Sequence, residues 1–273
     1  MKKSMIKNIT LLLIIAISFT GCNSDDKQSV KTKNWQLSWS DEFDGTAGDL
    51  PDASKWTFDI GNNGWGNQEL EYYTNRPENA SLDGNGNLVI TAKRENFQGS
   101  QYTSARLTTR NLFTQKYGRF EARLISPYGQ GLWPAFWMLG SDGNTVSWPQ
   151  CGEIDIMEMR GQSPNINHGS LHGPGFSGGN AITNSYALQY NRFDLDYHIF
   201  AVEWDAKKID YFVDGYLYER IEKSTVPEWV YDQPFYMILN VAVGGDFVGF
   251  PSAGTPMPQK MTVDYVRVYT DGN

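Results

Sequence analysis

Trp148-Pro149-Gln150-Cys151-Gly152-Glu153-Ile154-Asp155-Ile156-Met157-Glu158-Met159 is the stretch on which both fold and chemistry turn. Its apolar residues and short length read as a central β-strand, Glu153 to Met159. Alternate side chains of a strand share a face, so Glu153 and Asp155 point the same way. Glu158 is five residues from Glu153, and strict alternation would send it to the opposite face. Three acids split between cleft and core would be costly, because an unpaired buried carboxylate is strongly disfavoured. One bulged residue, at Ile156 or Met157, restores the parity and puts all three on one face. The spacing therefore predicts a bulge. A solvated acidic strand edge is the ordinary alternative, but the flanking Ile154, Ile156, Met157 and Met159 make the strand central and its acid face the lining of a cleft.

Four strand steps span about 13 Å of backbone. Glutamate side chains leaning inward bring this down to the ~5 Å of a retaining carboxylate pair. In such a pair one carboxylate attacks an anomeric carbon while the other, protonated, donates to the leaving oxygen. A third acid between them can share a proton with the nucleophile, and crowded like charges raise at least one pKa.

Outward from this strand, no long segment has a helical apolar period. Short Val/Ile/Tyr/Phe/Thr-rich runs at 88–93, 118–125, 197–204, 208–213, 235–241 and 261–269 are separated by Gly, Asn, Asp and Pro. Asp214-Gly215 between two such runs is a hairpin signal. The pattern predicts an all-β antiparallel sandwich, of the β-jelly-roll kind, with a concave substrate cleft. No repeat or second boundary is visible after residue 34, so residues 35–273 form one domain.

The start of the chain reads differently. Lys2, Lys3 and Lys7 precede an apolar run from Ile9 to Phe19, with Thr20 and Gly21 after it. Residues 1–21 are read as a signal peptide, too short for a permanent membrane span. Cys22 follows directly, and the segment resembles a bacterial lipobox, whose cysteine is lipidated; an ordinary secretory leader with an incidental cysteine is the alternative. Residues 22–34 are polar and read as a flexible tether. Asp25 and Asp26 resemble the acidic export tag of surface lipoproteins in Gram-negative bacteria. The expectation is an exported lipoprotein of the outer membrane, anchored through Cys22 and displayed at the cell surface. Cys151 then has no disulfide partner and is read as a small buried residue. The net charge of -8, without a basic run beyond the leader, argues against nucleic-acid binding. Aromatic content is 14%, with nine Trp and fifteen Tyr, which suits the apolar faces of sugar rings but also suits a large core.

Glu153-Ile154-Asp155-Ile156-Met157-Glu158 resembles the signature of glycoside hydrolase family 16 in its bulged form, the form of laminarinases, agarases and carrageenases. The similarity runs from Trp39-Ser40-Asp41-Glu42-Phe43-Asp44 to Val263-Asp264-Tyr265-Val266-Arg267-Val268-Tyr269. The resemblance implies Glu153 as nucleophile, Asp155 as its assisting acid and Glu158 as general acid/base, with no cofactor for catalysis. It implies a β-glucan polysaccharide as partner and a monomer as the acting form.

Within Gly131 to Leu139, Trp133 and Trp137 are four apart and share a strand face. They stack on sugar rings or fill the core, and the resemblance to the laminarinase branch favours the sugar. Trp148 has a weaker claim. His168 and His172 are also four apart; a metal site would need a third ligand, and no Glu or Cys pattern supplies one. By resemblance His172 is expected beside the acid/base residue, bonding substrate or Glu158, while His198 is structural. The Gly/Asn-rich segment 61–73 resembles a loop closing one end of the cleft, with Asn62, Trp65 and Glu69 as candidate sugar contacts. Arg110 is either a donor to sugar hydroxyls or a paired surface charge. Asn240 and the Val243-Gly244-Gly245 turn match a cleft-facing segment of relatives. A structural calcium on the far face is implied at Glu42 and Asp264, an oxygen-only set, against the alternative of two ordinary surface acids.

The leading function is retaining endo-hydrolysis of 1,3-β-glucan. The alternatives are a mixed-linkage 1,3-1,4-β-glucanase, an agarase-like galactan hydrolase, a transglycosylase, or a surface protein that only binds glycans. Retention of all three acids argues against the last.

Overall fold

In the computed structural model, residues 33–272 are described; the leader, Cys22 and all but the last two residues of the tether lie outside them. Two of the expected tether residues already belong to the domain. Asn34 accepts a backbone bond from Gly272 at 2.8 Å, and Lys33 reaches Asp205 at 3.4 Å.

Strands are numbered in chain order. One sheet has ten strands, with β15 (Tyr216–Glu222), β14 (Lys208–Val213), β13 (His198–Trp204), β8 (Gly118–Ile125), β17 (Gln259–Asp271), β5 (Leu88–Phe97), β6 (Ser100–Ser104) and β3 (Glu71–Tyr73) in spatial order. To these are added β1 (Trp35–Asp41) on β17 and β4 (Ala80–Leu82) on β5. The second sheet has seven: β12 (Ile182–Ala187), β11 (Ile166–His172), β10 (Glu153–Glu158), β9 (Leu132–Gly140), β16 (Phe235–Val243), β7 (Arg106–Thr108) and β2 (Thr57–Asp59). Every ladder is antiparallel except the short β3–β6 pair. The sandwich expected from the sequence is thus present. The runs at 118–125 and 208–213 match β8 and β14 residue for residue, whereas β5, β16 and β17 extend further.

The sheets pack through their inner faces. Trp204 is buried and meets Tyr117, Phe120 and Phe235 with ring centroids 5.2, 6.0 and 5.2 Å away. Burying each such side chain stabilises the fold by about 1.5–3 kcal/mol. Cys151 is buried as expected, and burial pushes its thiol up to about 11, which leaves it unreactive. Asp214 and Gly215 have φ of 50° and 80°, so the β14–β15 hairpin closes through a type I′ turn.

β16 and β9 pair along nine residues each, and β10 lies on β9's other edge. The active strand is therefore held well inside its sheet. At the end of β9, Gly140 donates to Gly152 O at 3.1 Å, and a Cβ at Gly140 would stand 1.9 Å from Cys151 O. That close backbone approach sets where β10 begins. Gly140→Ala is expected to lower stability by about 2–4 kcal/mol, because the obstacle is backbone and cannot rotate away. Urea unfolding checks this; a midpoint equal to that of the parent chain would refute it.

Candidate active site on the outer face of the seven-stranded sheet

The expected bulge is present, and its position is resolved. Against β9, Asp155 pairs with Trp137 and Met157 with Phe136, so Ile156 is the extra residue. Ile154, Ile156 and Met157 all enter the core, leaving Glu153, Asp155 and Glu158 to the other face. Asp155 is fully buried between the two glutamates, while Glu153 keeps 17% of its side-chain exposure and stays reachable.

Each glutamate has an indole donor. Trp148 Nε1 donates to Glu153 Oε2 at 2.8 Å, and Trp133 Nε1 donates to Glu158 Oε1 at 2.9 Å. Trp148, weakly favoured by sequence, is thus a direct partner of the first glutamate, from the segment that joins β9 to β10. His172 departs from its expected place. The antiparallel register pairs Glu153 with His172 and, beyond the bulge, Glu158 with His168. His172 Nε2 consequently lies 3.0 Å from Asp155 Oδ2, off the line of an ideal hydrogen bond, and 3.8 Å from Glu153 Oε1. Its Nδ1 accepts from Gly178 N at 3.1 Å, which leaves the ring proton on Nε2, facing Asp155. His168 occupies the place beside Glu158, bonded to Ser185 Oγ at 3.0 Å, and burial lowers its pKa, so it is neutral.

Burial is the main influence on all three acids. It pushes Glu153 up to about 8, with Asp155's charge adding to it, and Glu158 up to about 7, with Glu153's charge adding to it. Asp155 stands well above the usual carboxylate range through burial and then the charge of Glu158. Asp155 and Glu153 are hydrogen-bonded to each other. That bond raises Glu153 and lowers Asp155, while the Trp148 indole donor lowers Glu153. Glu153, Asp155 and His172 also present ligand atoms within 4.8 Å of one another, a third-ligand arrangement that the His168/His172 spacing did not reveal. A cation there would occupy the same carboxylates as the chemistry.

On the β9 side the cleft wall is aromatic. Trp137 Nε1 donates to Asn240 Oδ1 at 2.7 Å, which puts the Asn240 side chain on the same face of the sheet as Trp137. The Arg106 guanidinium lies 4.8 Å from both the Trp65 and the Trp137 ring centroids, with Asp59 at 3.1 Å. This arginine, two register positions from Thr108, is the one in the cleft. Arg110, the arginine expected to serve, instead pairs with Asp59 and lies near Tyr236. Asn62 turns away as well: Gly61 is locked to Tyr73 by two backbone bonds, and Asn62 Nδ2 then reaches Ser100 Oγ in the other sheet. Glu69 is buried, held by Asn67 Nδ2 at 3.1 Å and Tyr73 OH at 3.0 Å, so it shapes the loop without meeting a sugar. Phe247, which drew no attention in the sequence, closes the Glu158 side, packed on Trp133, His168 and Arg160. Gly245, with φ of 115°, leaves room for Trp133, whose ring a Cβ would meet at 3.3 Å. The loop 61–70 is tied to the loop after β16 by Asp246 N to Asn67 O at 2.9 Å and Gln68 Nε2 to Asp246 Oδ1 at 2.7 Å.

On the far sheet, Asp264 is the bulged residue of β17, and Glu42 follows β1 by one position. Arg267 binds Glu42 through two bonds of 2.9 and 2.8 Å, and Arg123 binds Asp264. As folded these side chains do not fit a calcium-ligand set, since each carboxylate is already paired with a guanidinium. His198 is a structural residue, bonded to Asp214 at 2.6 Å.

Two pH effects follow. The buried acids bind protons more tightly folded than unfolded, so their contribution to stability is full at acid pH and is lost as pH rises through about 7–8. With Glu158 as the general acid expected from the sequence, activity should fall over the same range. Trp133→Phe removes a donor that lowers the Glu158 pKa. The alkaline limb of kcat/KM should then move upward by roughly 0.5–1 pH. An unmoved limb in the pH–rate profile would exclude this coupling.

The profile of Glycosyl hydrolases family 16 matches residues 67–267. A beta-glucanase of Rhodothermus marinus is 43% identical over 279 residues, covering 98% of this chain and 96% of its own. The catalytic domain of an endo-1,3-beta-glucanase (laminarinase) from Thermotoga petrophila superposes with a TM-score of 0.84 at 47% identity, over 89% of this chain and 100% of the other. The endo-beta-1,3-glucanase of Pyrococcus furiosus gives 0.83 at 47% identity, over 87% and 95%.

Proposed function

Because the chain belongs to glycoside hydrolase family 16, we propose that it cleaves internal linkages of a 1,3-β-glucan with retention of anomeric configuration. The observation that carries the reading is the bulge at Ile156, which gathers three buried acids on one face of β10. Glu153 is the nucleophile. Its carboxylate attacks the anomeric carbon while Glu158 gives its proton to the departing glycosidic oxygen, leaving a glycosyl-enzyme ester. Glu158, now ionised, takes a proton from water; that water attacks the same carbon and frees Glu153. For the attack, the proton shared by the Glu153–Asp155 pair lies on Asp155, which steadies the Glu153 carboxylate as its charge disperses. His172 holds Asp155 from the other side. The chemistry needs carboxylates and water, with no cofactor.

Trp133, Trp137 and Trp65 support a sugar-binding wall on the β9 side, with Arg106 between two of the rings. Specificity for the 1,3 linkage rests on the relatives that carry that activity. The first 21 residues act as a lipoprotein leader, Cys22 carries lipid, and the monomeric domain sits at the outer membrane. Palmitate labelling abolished by Cys22→Ala would support the anchor, and labelling that persists would remove it. A calcium ion near Glu42 and Asp264 would have to displace Arg267 and Arg123. A thermal midpoint that does not respond to chelator followed by calcium would withdraw that ion.

Reducing-sugar release from laminarin, mixed-linkage glucan and agarose tests the function directly. Laminarin should be preferred, the first product should be the β-anomer by proton NMR, and Glu153→Gln should reduce kcat by roughly 10³-fold or more. An α-anomer first product would overturn the mechanism, and preference for agarose would overturn the substrate.

A further inference from the structure

Beneath the β9 side of the cleft lie two acids that the mechanism does not use. Glu71, in β3, is fully buried, and its Oε2 accepts from Val243 N at 2.6 Å. Its Oε1 has no donor. Glu69 faces it in hydrogen-bond contact, and both Glu69 oxygens are already occupied as acceptors, by Asn67 Nδ2 and Tyr73 OH. Among the described residues, no lysine or arginine pairs with either carboxyl. Arg106, whose charge acts on Tyr73, is paired with Asp59 at 3.1 Å and stacked between Trp65 and Trp137. Two adjacent buried carboxyls without a cation cannot both be ionised. The donor-less Oε1 of Glu71 is the one oxygen where a proton would satisfy both groups.

We propose that Glu71 is a positioning residue that works as a neutral acid, donating its proton to Glu69 and thereby setting the polarity of a hydrogen-bond chain that ends at Trp137. Glu71 O–H donates to Glu69, which also accepts from Tyr73 OH at 3.0 Å. The Tyr73 oxygen, its own proton directed at Glu69, accepts from Asn240 Nδ2 at 3.1 Å. That turns the Asn240 carbonyl toward Trp137 Nε1, 2.7 Å away. Each group has one role, and reversing any link would leave two acceptors or two donors facing each other. The chain joins the loop 61–70, β3 and β16 to the indole that lines the cleft. Loss of the Glu71 proton would put two like charges in a dry site beside neutral Tyr73, with only the Asp59-paired Arg106 to offset them. Burial first, and the charge of Glu69 second, hold Glu71 well above the usual carboxylate range, so this loss is displaced toward higher pH.

The inference rests on the sugar-binding reading of Trp137, but the proton itself can be tested without substrate. In Glu71→Gln, the side-chain amide can donate to Glu69 and its carbonyl can accept from Val243 N. At neutral pH, the infrared difference between the parent chain and Glu71→Gln should contain one protonated-carboxyl C=O band. With laminarin, KM of the parent should rise several-fold toward alkaline pH while that of Glu71→Gln stays flat. KM of Glu71→Leu should be raised at every pH, with kcat changed less than KM. A missing infrared band overturns the proposal, as does a Glu71→Gln protein that fails to fold or shares the raised KM of Glu71→Leu. A parent KM without an alkaline rise overturns it too. If laminarin is not a substrate, the infrared band still decides the proton, and only the substrate reading fails.

Discussion

Everything at the active face depends on one extra residue in a strand. Five positions separate Glu153 from Glu158, an odd number that regular pleating would resolve by burying one of them in the core. The bulge at Ile156 makes the count even in effect, at the expense of one unpaired position in the ladder. The core accepts this because Ile156 and Met157 both fill it, so the apolar side of β10 gains a side chain where the polar side gains parity. β9 and β11 follow the irregularity on both edges. The same shift then decides which histidine serves which acid: His172 goes with the Glu153–Asp155 pair and His168 with Glu158.

Gathering three acids in a half-dry site creates a charge problem, and the surrounding residues solve it with neutral donors more than with cations. Indole N–H groups from Trp148 and Trp133 meet the two glutamates, one from each side. A neutral donor stabilises an ionised carboxylate only modestly, so the pKa values remain raised by burial. A fully paired lysine or arginine would hold both glutamates ionised and leave no acid to protonate a leaving group. The site thus keeps protons available near neutrality, and the catalytic sense of the cleft depends on that restraint.

The cleft wall is assembled from segments far apart in the chain. Phe247 arrives after β16, Trp133 and Trp137 from β9, Arg106 from β7 and Trp65 from the Gly-rich loop. Short polar ties between the loops 61–70 and 244–250 keep these pieces in register, and Gly245 permits the close approach of Trp133. The hidden chain from Glu71 to Trp137 belongs to the same scheme, in which buried polar groups orient an aromatic surface that itself carries no charge.

Much of this was legible beforehand. Strand alternation required the bulge and the common face of the three acids, because period-two geometry is a local property of any strand. Turn residues located β8, β14 and the Asp214-Gly215 hairpin for the same reason. Short strands such as β2, β3 and β7 were not readable, since three residues carry no periodicity and exist only because longer neighbours offer hydrogen bonds. The local pattern also failed wherever a role depended on a partner across the sheets. Arg110 and Arg106 are equivalent as letters, and only the register of β7 with β16 puts Arg106 between two tryptophans. Glu42 and Asp264 read equally as calcium ligands or as ordinary surface acids, and only the fold brings Arg267 and Arg123 onto them. By itself the sequence determined the chemistry, since spacing and residue type act within one strand. The tertiary structure alone decided which neighbours tune that chemistry, because cross-strand register and loop contacts are set by packing at long range.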